Sequence, residues 1–121
     1  MEKVSDFETY HIVSWNIENF IYNEIKLNVL AQNSASKEIQ IIMPKNSEMK
    51  EHKAPFAISV QVLRGWIEFS IDDKIMKLQE LDMISLEANI PHSLKALKDS
   101  IVRLSLAKND SVARVNAVLK N

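Results

Sequence analysis

Apolar and polar residues alternate in steps of two through the middle of this chain. The alternation recurs in several short segments, and polar turns such as Asp72-Asp73 and Asp99-Ser100 separate them. Strict alternation over four or more residues is typical of half-buried β-strands, and many short strands at this spacing favour an all-β sandwich or barrel. The alternating apolar positions are Ile25, Leu27 and Val29; Ile39, Ile41 and Met43; Ile58, Val60 and Val62; Ile67, Phe69 and Ile71; Ile84, Leu86 and Ala88; and Val102, Leu104 and Leu106.

The last segment of the chain changes period. Apolar residues recur at helical spacing between Val112 and Leu119, and Asn109 or Asp110 is available as the N-cap. The spacing therefore predicts one short amphipathic helix within residues 108–121.

The first 22 residues show no clear period and are rich in aromatic side chains. We expect residues 1–22 to form an arm that packs on the barrel or on a partner subunit, and residues 23–107 to form the barrel itself. The aromatic residues of the arm are Phe7, Tyr10, Trp15, Phe20 and Tyr22.

Composition narrows the classes of protein to which the chain can belong. A length of 121 residues predicts one domain, and a hydrophobic fraction of 46% is ordinary for a globular protein. A net charge of -1 gives no electrostatic footprint for nucleic acid or an anionic membrane. With no cysteine, no secretory signal and no apolar run of 18 residues, we expect a cytoplasmic protein without disulfides, thiolate chemistry or a membrane span.

Glycine is scarce. Gly65 is the single glycine, where average usage predicts about eight, so glycine-rich phosphate loops are excluded. Other residues must therefore form the turns. Asn tolerates a left-handed backbone better than other non-glycine residues, so we expect Asn33, Asn46 and Asn89 at corners.

Histidine is the main candidate for chemistry. His52 and His92 each share parity with apolar neighbours, so we expect both imidazoles to face the inside of the barrel and to approach each other at one mouth. His11, in the aromatic arm, is expected on the surface or in packing. No Ser-His-Asp arrangement or HExxH spacing occurs, and we predict no catalytic residue.

Two segments carry a resemblance to a known family. Residues 46–69 and 78–96 resemble the two motifs of the cupin superfamily. Their sequences are NSEMKEHKAPFAISVQVLRGWIEF and LQELDMISLEANIPHSLKA. His52 and His92 match one histidine in each motif. The resemblance implies a small double-stranded β-helix, or jelly-roll, barrel followed by the short C-terminal helix.

The motifs also depart from the family pattern. Asn46, Leu81 and Asn89 stand where the motifs have glycine, Ala54 stands where the first motif has its second histidine, and Ile58 stands where it has glutamate. The resemblance implies a divalent metal held by three His and one Glu, of which only His52 and His92 remain.

Two imidazoles make a poor metal site, because catalytic zinc normally has three protein ligands and non-haem iron needs two His and a carboxylate. We therefore expect a degenerate site. It binds zinc, nickel, manganese or iron only weakly, and the expectation that we favour is that it binds no metal. A replacement ligand from Gln40, Gln61, Glu24 or His11 is the alternative. The predicted ligand pocket comprises His52, His92, Phe56 and Met43.

Three functional hypotheses follow. The first, which we favour, is a non-enzymatic barrel that binds a small molecule or is structural, and that forms a homodimer with Trp66 at the contact. The second is a metal-dependent enzyme such as a dioxygenase, isomerase or lyase, with His52 and His92 as its remaining ligands. The third is a sensor or regulatory barrel that acts through a partner protein.

Overall fold

The computed structural model describes residues 9–21 and 23–119, and in them two antiparallel sheets face each other. The first sheet has five strands in the order β1-β2-β9-β4-β7, and the second has four in the order β3-β8-β5-β6. The strands are β1 (Lys26–Gln32), β2 (Ser36–Met43), β3 (Glu48–His52), β4 (Ile58–Arg64), β5 (Trp66–Ile71), β6 (Lys74–Gln79), β7 (Met83–Leu86), β8 (His92–Ala96) and β9 (Ser100–Ala107). This is the predicted all-β jelly-roll barrel.

The alternating apolar side chains form the core between the sheets. Ile39 on β2, Val62 on β4 and Phe69 on β5 are fully buried, and Val102 on β9 packs among them. The parity of the buried residues changes across Gly65: β4 buries its even-numbered residues and β5 its odd-numbered ones. Burial of alternate residues on facing sheets is what the sequence pattern predicted.

Three strands, β3, β6 and β8, lie outside the six alternating segments of the sequence. β6 pairs with β5 at the edge of the four-stranded sheet, and its Ile75 is 61% exposed beside the half-buried Met76. These two adjacent apolar residues of β6 hide its period of two, so alternation did not predict this strand.

Turns use residues other than glycine, as expected. Asn46 and Asn89 have φ of 74° and 66°, and Leu81 has φ of 75°, so each retains the left-handed backbone of the glycine it replaces in the motifs. Asn33 also lies at a corner, between β1 and β2, but its backbone is not left-handed: its side-chain oxygen accepts hydrogen bonds from the amides of Ala35 and Ser36. An Asx-type turn makes the same corner without positive φ.

Gly65 joins β4 to β5 at φ 97°. A Cβ atom there would lie 2.6 Å from the carbonyl oxygen of Asp99 and would also collide with the Ser100 side chain. Both the conformation and the close approach of two turns therefore require the chain's single glycine.

The described part of the N-terminal arm packs on the barrel. The Trp15 carbonyl accepts a hydrogen bond of 2.8 Å from Nε2 of Gln40, which is buried on the outer face of β2. The Phe20 ring lies 5.6 Å from the Arg64 guanidinium. Phe7 and Tyr22 lie outside the described residues.

The predicted helix is present as α1 (Val112–Val118). Its N-cap is Ser111, whose hydroxyl accepts from the Arg114 amide, rather than Asn109 or Asp110. Val115 is buried against the barrel. No helix in residues 9–21 and 23–119 has the length and apolar character of a membrane span.

Candidate functional site

Two adjacent strands bring His52 and His92 together. His52 ends β3, His92 begins β8, and the two residues are directly paired in the antiparallel register. In β3 the register shifts between Met49 and His52. Because of this shift, the Met49 and His52 side chains both point inward although the two residues are three positions apart. The ring centroids lie 4.3 Å apart with the planes tilted by 58°. The alternation pattern predicted this approach.

Backbone carbonyls fix the tautomer of both rings. Nδ1 of His52 lies 2.7 Å from the Lys50 carbonyl oxygen, and Nδ1 of His92 lies 2.8 Å from that of Ile90. A carbonyl only accepts, so each Nδ1 carries the hydrogen and donates it. In the neutral rings, both Nε2 atoms are consequently left as acceptors.

The surroundings keep both imidazoles neutral. Burial lowers the pKa of His52 and of His92 below 6.5, and this effect outweighs the carbonyl hydrogen bonds, which raise it. The positive charge of Arg114 lowers both pKa values further, and the neighbouring His52 adds to the effect on His92. The Phe69 ring stacks on His92 with a centroid distance of 5.3 Å and an angle of 6°.

The pair faces a small, closed cavity. Its volume is about 10 Å³, which is the room of a single water molecule. Apolar side chains make up most of its wall, and His52, His92 and Arg114 contribute the rest. The apolar lining residues are Ile41, Met49, Ile58, Val60, Leu94, Leu104 and Val115. Helix α1 thus closes the mouth of the barrel above the histidines.

Arg114 is the site residue that sequence reasoning missed. Its Nε and Nη2 atoms each donate a 2.8 Å hydrogen bond to the carboxylate of Asp110, which is itself buried. Its Nη1 atom lies 3.5 Å from the Lys53 carbonyl oxygen, beside His52. The spacing of four between Asp110 and Arg114 signals an ion pair at the helix start, but only tertiary packing places that pair at the barrel mouth.

The residues of the cavity do not fit a metal ion. At the two other positions implied by the cupin motifs, Ala54 and Ile58 are buried and apolar. Among residues 9–21 and 23–119, no three His, Asp or Glu side chains lie close enough together to bind one ion. The Arg114 guanidinium also brings positive charge to the cavity wall, which opposes a cation there.

None of the alternative ligands lines this cavity. Gln40 is buried elsewhere, bonded to the Trp15 carbonyl and to Asn28, and Gln61 donates to the Leu81 carbonyl. Glu24 and His11 are exposed.

Two pocket residues and one surface residue differ from expectation. Phe56 was predicted to line the ligand pocket, but it lies in the loop before β4, is 38% exposed and does not line the cavity. Met43 is fully buried in the core yet also lies outside the cavity wall. Trp66 points outward as predicted, but it is half-buried, with the ammonium groups of Lys77 and Lys98 near its ring. The pocket prediction assumed that alternation continues from β4 back through the loop to His52. Pro55 in the loop and the bulge in β3 interrupt that alternation.

Solved structures share this architecture. A conserved protein of unknown function from Streptococcus pyogenes matches with a TM-score of 0.71 and 22% identity, over 92% of this chain and 98% of the other. A cupin superfamily protein from Desulfitobacterium hafniense has a TM-score of 0.71 and 13% identity, over 83% and 92% of the two chains. An RmlC-like cupin from Desulfovibrio desulfuricans has a TM-score of 0.66 and 18% identity, over 80% and 97%.

Sequence comparisons add nothing to these likenesses. No protein-family model matches the chain, and no curated protein matches it. The similarity therefore lies in the three-dimensional arrangement of the strands.

Proposed function

The chain has the cupin fold, and on that premise we propose that it is a metal-independent binding protein whose ligand is a small hydroxy acid. One observation carries the proposal: two imidazole Nε2 acceptors and the Arg114 guanidinium line the same cavity at the barrel mouth. An O–H group of the ligand donates to Nε2 of His52 or His92. A carboxylate oxygen accepts from the N–H groups of Arg114 that Asp110 leaves free.

The proposed role is binding without catalysis. Each neutral imidazole has its one N–H bonded to a backbone carbonyl, so neither has a free proton to give as a general acid. Arg114 keeps its protons, and the apolar wall residues such as Ile58 and Val60 have no titratable group. These features support a receptor site rather than a reaction centre.

A ligand larger than water enters when α1 moves. A helix of seven residues is too short to be stable alone, so its order depends on docking. Val115 is its one fully buried residue among those described, and the Asp110–Arg114 ion pair and the contact from Lys37 to the Asp110 carbonyl hold its start. Such an element opens at lower cost than the strands of the core.

The test is a titration with glycolate, the simplest hydroxy carboxylate, followed by long-range 1H–15N NMR of the histidine rings in the presence of a chelator. We expect saturable shifts of the His52 and His92 Nε2 signals. Arg114→Gln should weaken binding about tenfold or more, because it removes a charge-assisted hydrogen bond. Arg103→Gln is the matched control, since Arg103 pairs with Glu38 on the outer face.

Two results would contradict the proposal. One is that glycolate leaves both histidine signals unmoved at every accessible concentration, and the other is that Arg114→Gln binds glycolate as well as the parent protein does. Ring signals that shift only after zinc is added would instead favour the metal-dependent enzyme.

We also propose that the protein acts in the cytoplasm as a homodimer and needs no nucleic-acid partner. Two edge strands, β1 and β6, carry the exposed apolar residues Val29 and Ile75, which pairing with a second copy would cover. The absence of cysteine and the net charge of -1 support the location and the lack of a nucleic-acid partner.

A further inference from the structure

A second concave site lies at the other end of the barrel. Three turns meet there, those between β4 and β5, between β6 and β7, and between β8 and β9, and they enclose a groove of about 640 Å³. We call it the Trp66 groove; Arg64, Trp66, Gln79 and Lys98 contribute to its wall. Strand β8 runs from His92 at the mouth towards Lys98 in this groove, a span of roughly 20 Å. The volume falls within the usual range for small-ligand sites.

Trp66 carries an unused hydrogen-bond donor. Its Nε1 atom is buried and has no hydrogen-bond partner among the described residues. The indole N–H only donates, so nothing but an acceptor satisfies it, and native proteins seldom leave a buried donor unpaired. The backbone of Trp66 is fully engaged, because its amide donates to the Ser100 hydroxyl and its carbonyl accepts from Leu97.

Positive charge gathers around the same ring. The Lys77 and Lys98 ammonium groups lie 5.6 Å and 5.4 Å from the centre of the indole, and both side chains are exposed. Arg64 adds a third cation to the wall of the groove. Two carboxylates, those of Glu80 and Asp99, also line the groove, so around the ring three cations face two anions. The groove therefore attracts anions although the whole chain has a net charge of -1.

We propose that the Trp66 groove binds an oxyanion, either a carboxylate or a phosphate group of a small molecule. The ammonium groups of Lys77 and Lys98 swing from the ring to pair with the anion, and this movement opens the buried indole N–H to one of its oxygens. Long lysine side chains reach a new partner by rotation, without movement of the strands. This site is independent of the histidine cavity, and its ligand need not be the ligand bound there.

The experiment follows the indole N–H signal of Trp66 by 1H–15N NMR during titration with inorganic phosphate and, separately, with acetate at constant ionic strength. The Trp66→Phe variant assigns the signal and keeps an aromatic ring for the lysines. We expect a saturable downfield shift of the Trp66 signal, while the Trp15 signal stays constant. A response to phosphate alone identifies a phosphate site, a response to acetate alone a carboxylate site, and a response to both a general oxyanion site.

Variants separate this site from diffuse surface attraction. Lys98→Ala should weaken binding about tenfold, the usual loss for one charge-assisted hydrogen bond. Lys74→Ala, which removes an exposed lysine at the far end of β6, should leave binding unchanged. The proposal is overturned if neither anion moves the Trp66 signal, or if Lys74→Ala and Lys98→Ala weaken binding equally.

Discussion

Ala54 and Ile58 decide the chemistry of the barrel mouth at the scale of single residues. Both are buried, and both stand where the cupin motifs imply a metal ligand. A buried carboxylate at position 58 without a partner would be costly, and the isoleucine avoids that cost. The guanidinium of Arg114 supplies positive charge at the same cavity instead.

Leu81 provides a test of backbone strain. Its φ of 75° is a left-handed conformation, which costs a non-glycine residue about 1–2 kcal/mol, and its side chain is 70% exposed. We expect Leu81→Gly to be about 1 kcal/mol more stable than Leu81→Ala, because glycine relieves the strain and alanine does not. Urea unfolding of the two variants measures the difference. Equal stability of the two would show that the backbone at this corner is not strained.

Helix α1 is the element on which the proposed binding mechanism depends. We expect its amides to exchange with solvent faster than those of β9, because α1 buries Val115 alone among its residues while β9 lies between β2 and β4. Hydrogen–deuterium exchange measured by mass spectrometry tests this order.

Asp110→Asn should speed the exchange of α1 further, because it removes the charge from the ion pair with Arg114. Asp99→Asn, which changes a carboxylate in a turn far from α1, is the control. Protection of α1 equal to that of β9 would contradict a helix that opens for a ligand.

The elements differ in how far the sequence predicts them. Strands β2, β4, β5 and β9 were predictable because each buries alternate residues on one face of a sheet. The edge strand β6 was not predictable, because its residues are largely exposed and burial therefore does not require polar residues to alternate with apolar ones there. The meeting of His52 and His92 followed from parity and the motif resemblance. The place of Arg114 did not, because a helix pattern contains no information about where the helix docks.

The stability of the whole molecule should fall as the solution becomes acidic. Both histidine pKa values are lowered in the folded state, so below pH 6.5 the unfolded chain takes up protons that the folded chain resists. The stability that the two neutral histidines contribute is therefore fully present above pH 6.5, and it is lost as the pH falls through their pKa values in the folded state. The slope reaches at most about 1.4 kcal/mol per pH unit for each proton.

Chemical denaturation between pH 7.5 and pH 5 measures this dependence in a range where carboxylates contribute little. The double change His52→Gln with His92→Gln should flatten the plot of the free energy of unfolding against pH, and His11→Gln, a change at an exposed histidine, is the matched control. If the free energy of unfolding of the double variant falls equally steeply with pH, groups other than His52 and His92 cause the acid sensitivity.

A homodimer remains the expected assembly. Light scattering at micromolar concentration should give about twice the 13.9 kDa mass of one chain. Val29→Lys on the edge strand β1 should shift the mass towards the monomer, while Lys26→Glu on the same strand tests whether charge alone has that effect. A monomer under all conditions would reject this expectation.

Metal independence is the central claim, and a zinc titration followed by thermal unfolding tests it most directly. A site filled at about 100 times its Kd stabilises a protein by about 2.7 kcal/mol, or on the order of 10 °C for a domain of this size. We expect a far smaller shift for the natural chain and a clear one for Ala54→His with Ile58→Glu, which completes the ligand set around His52 and His92. A shift of on the order of 10 °C in the natural chain, abolished by His52→Ala, would show that a metal ion does bind at the barrel mouth and would contradict the account.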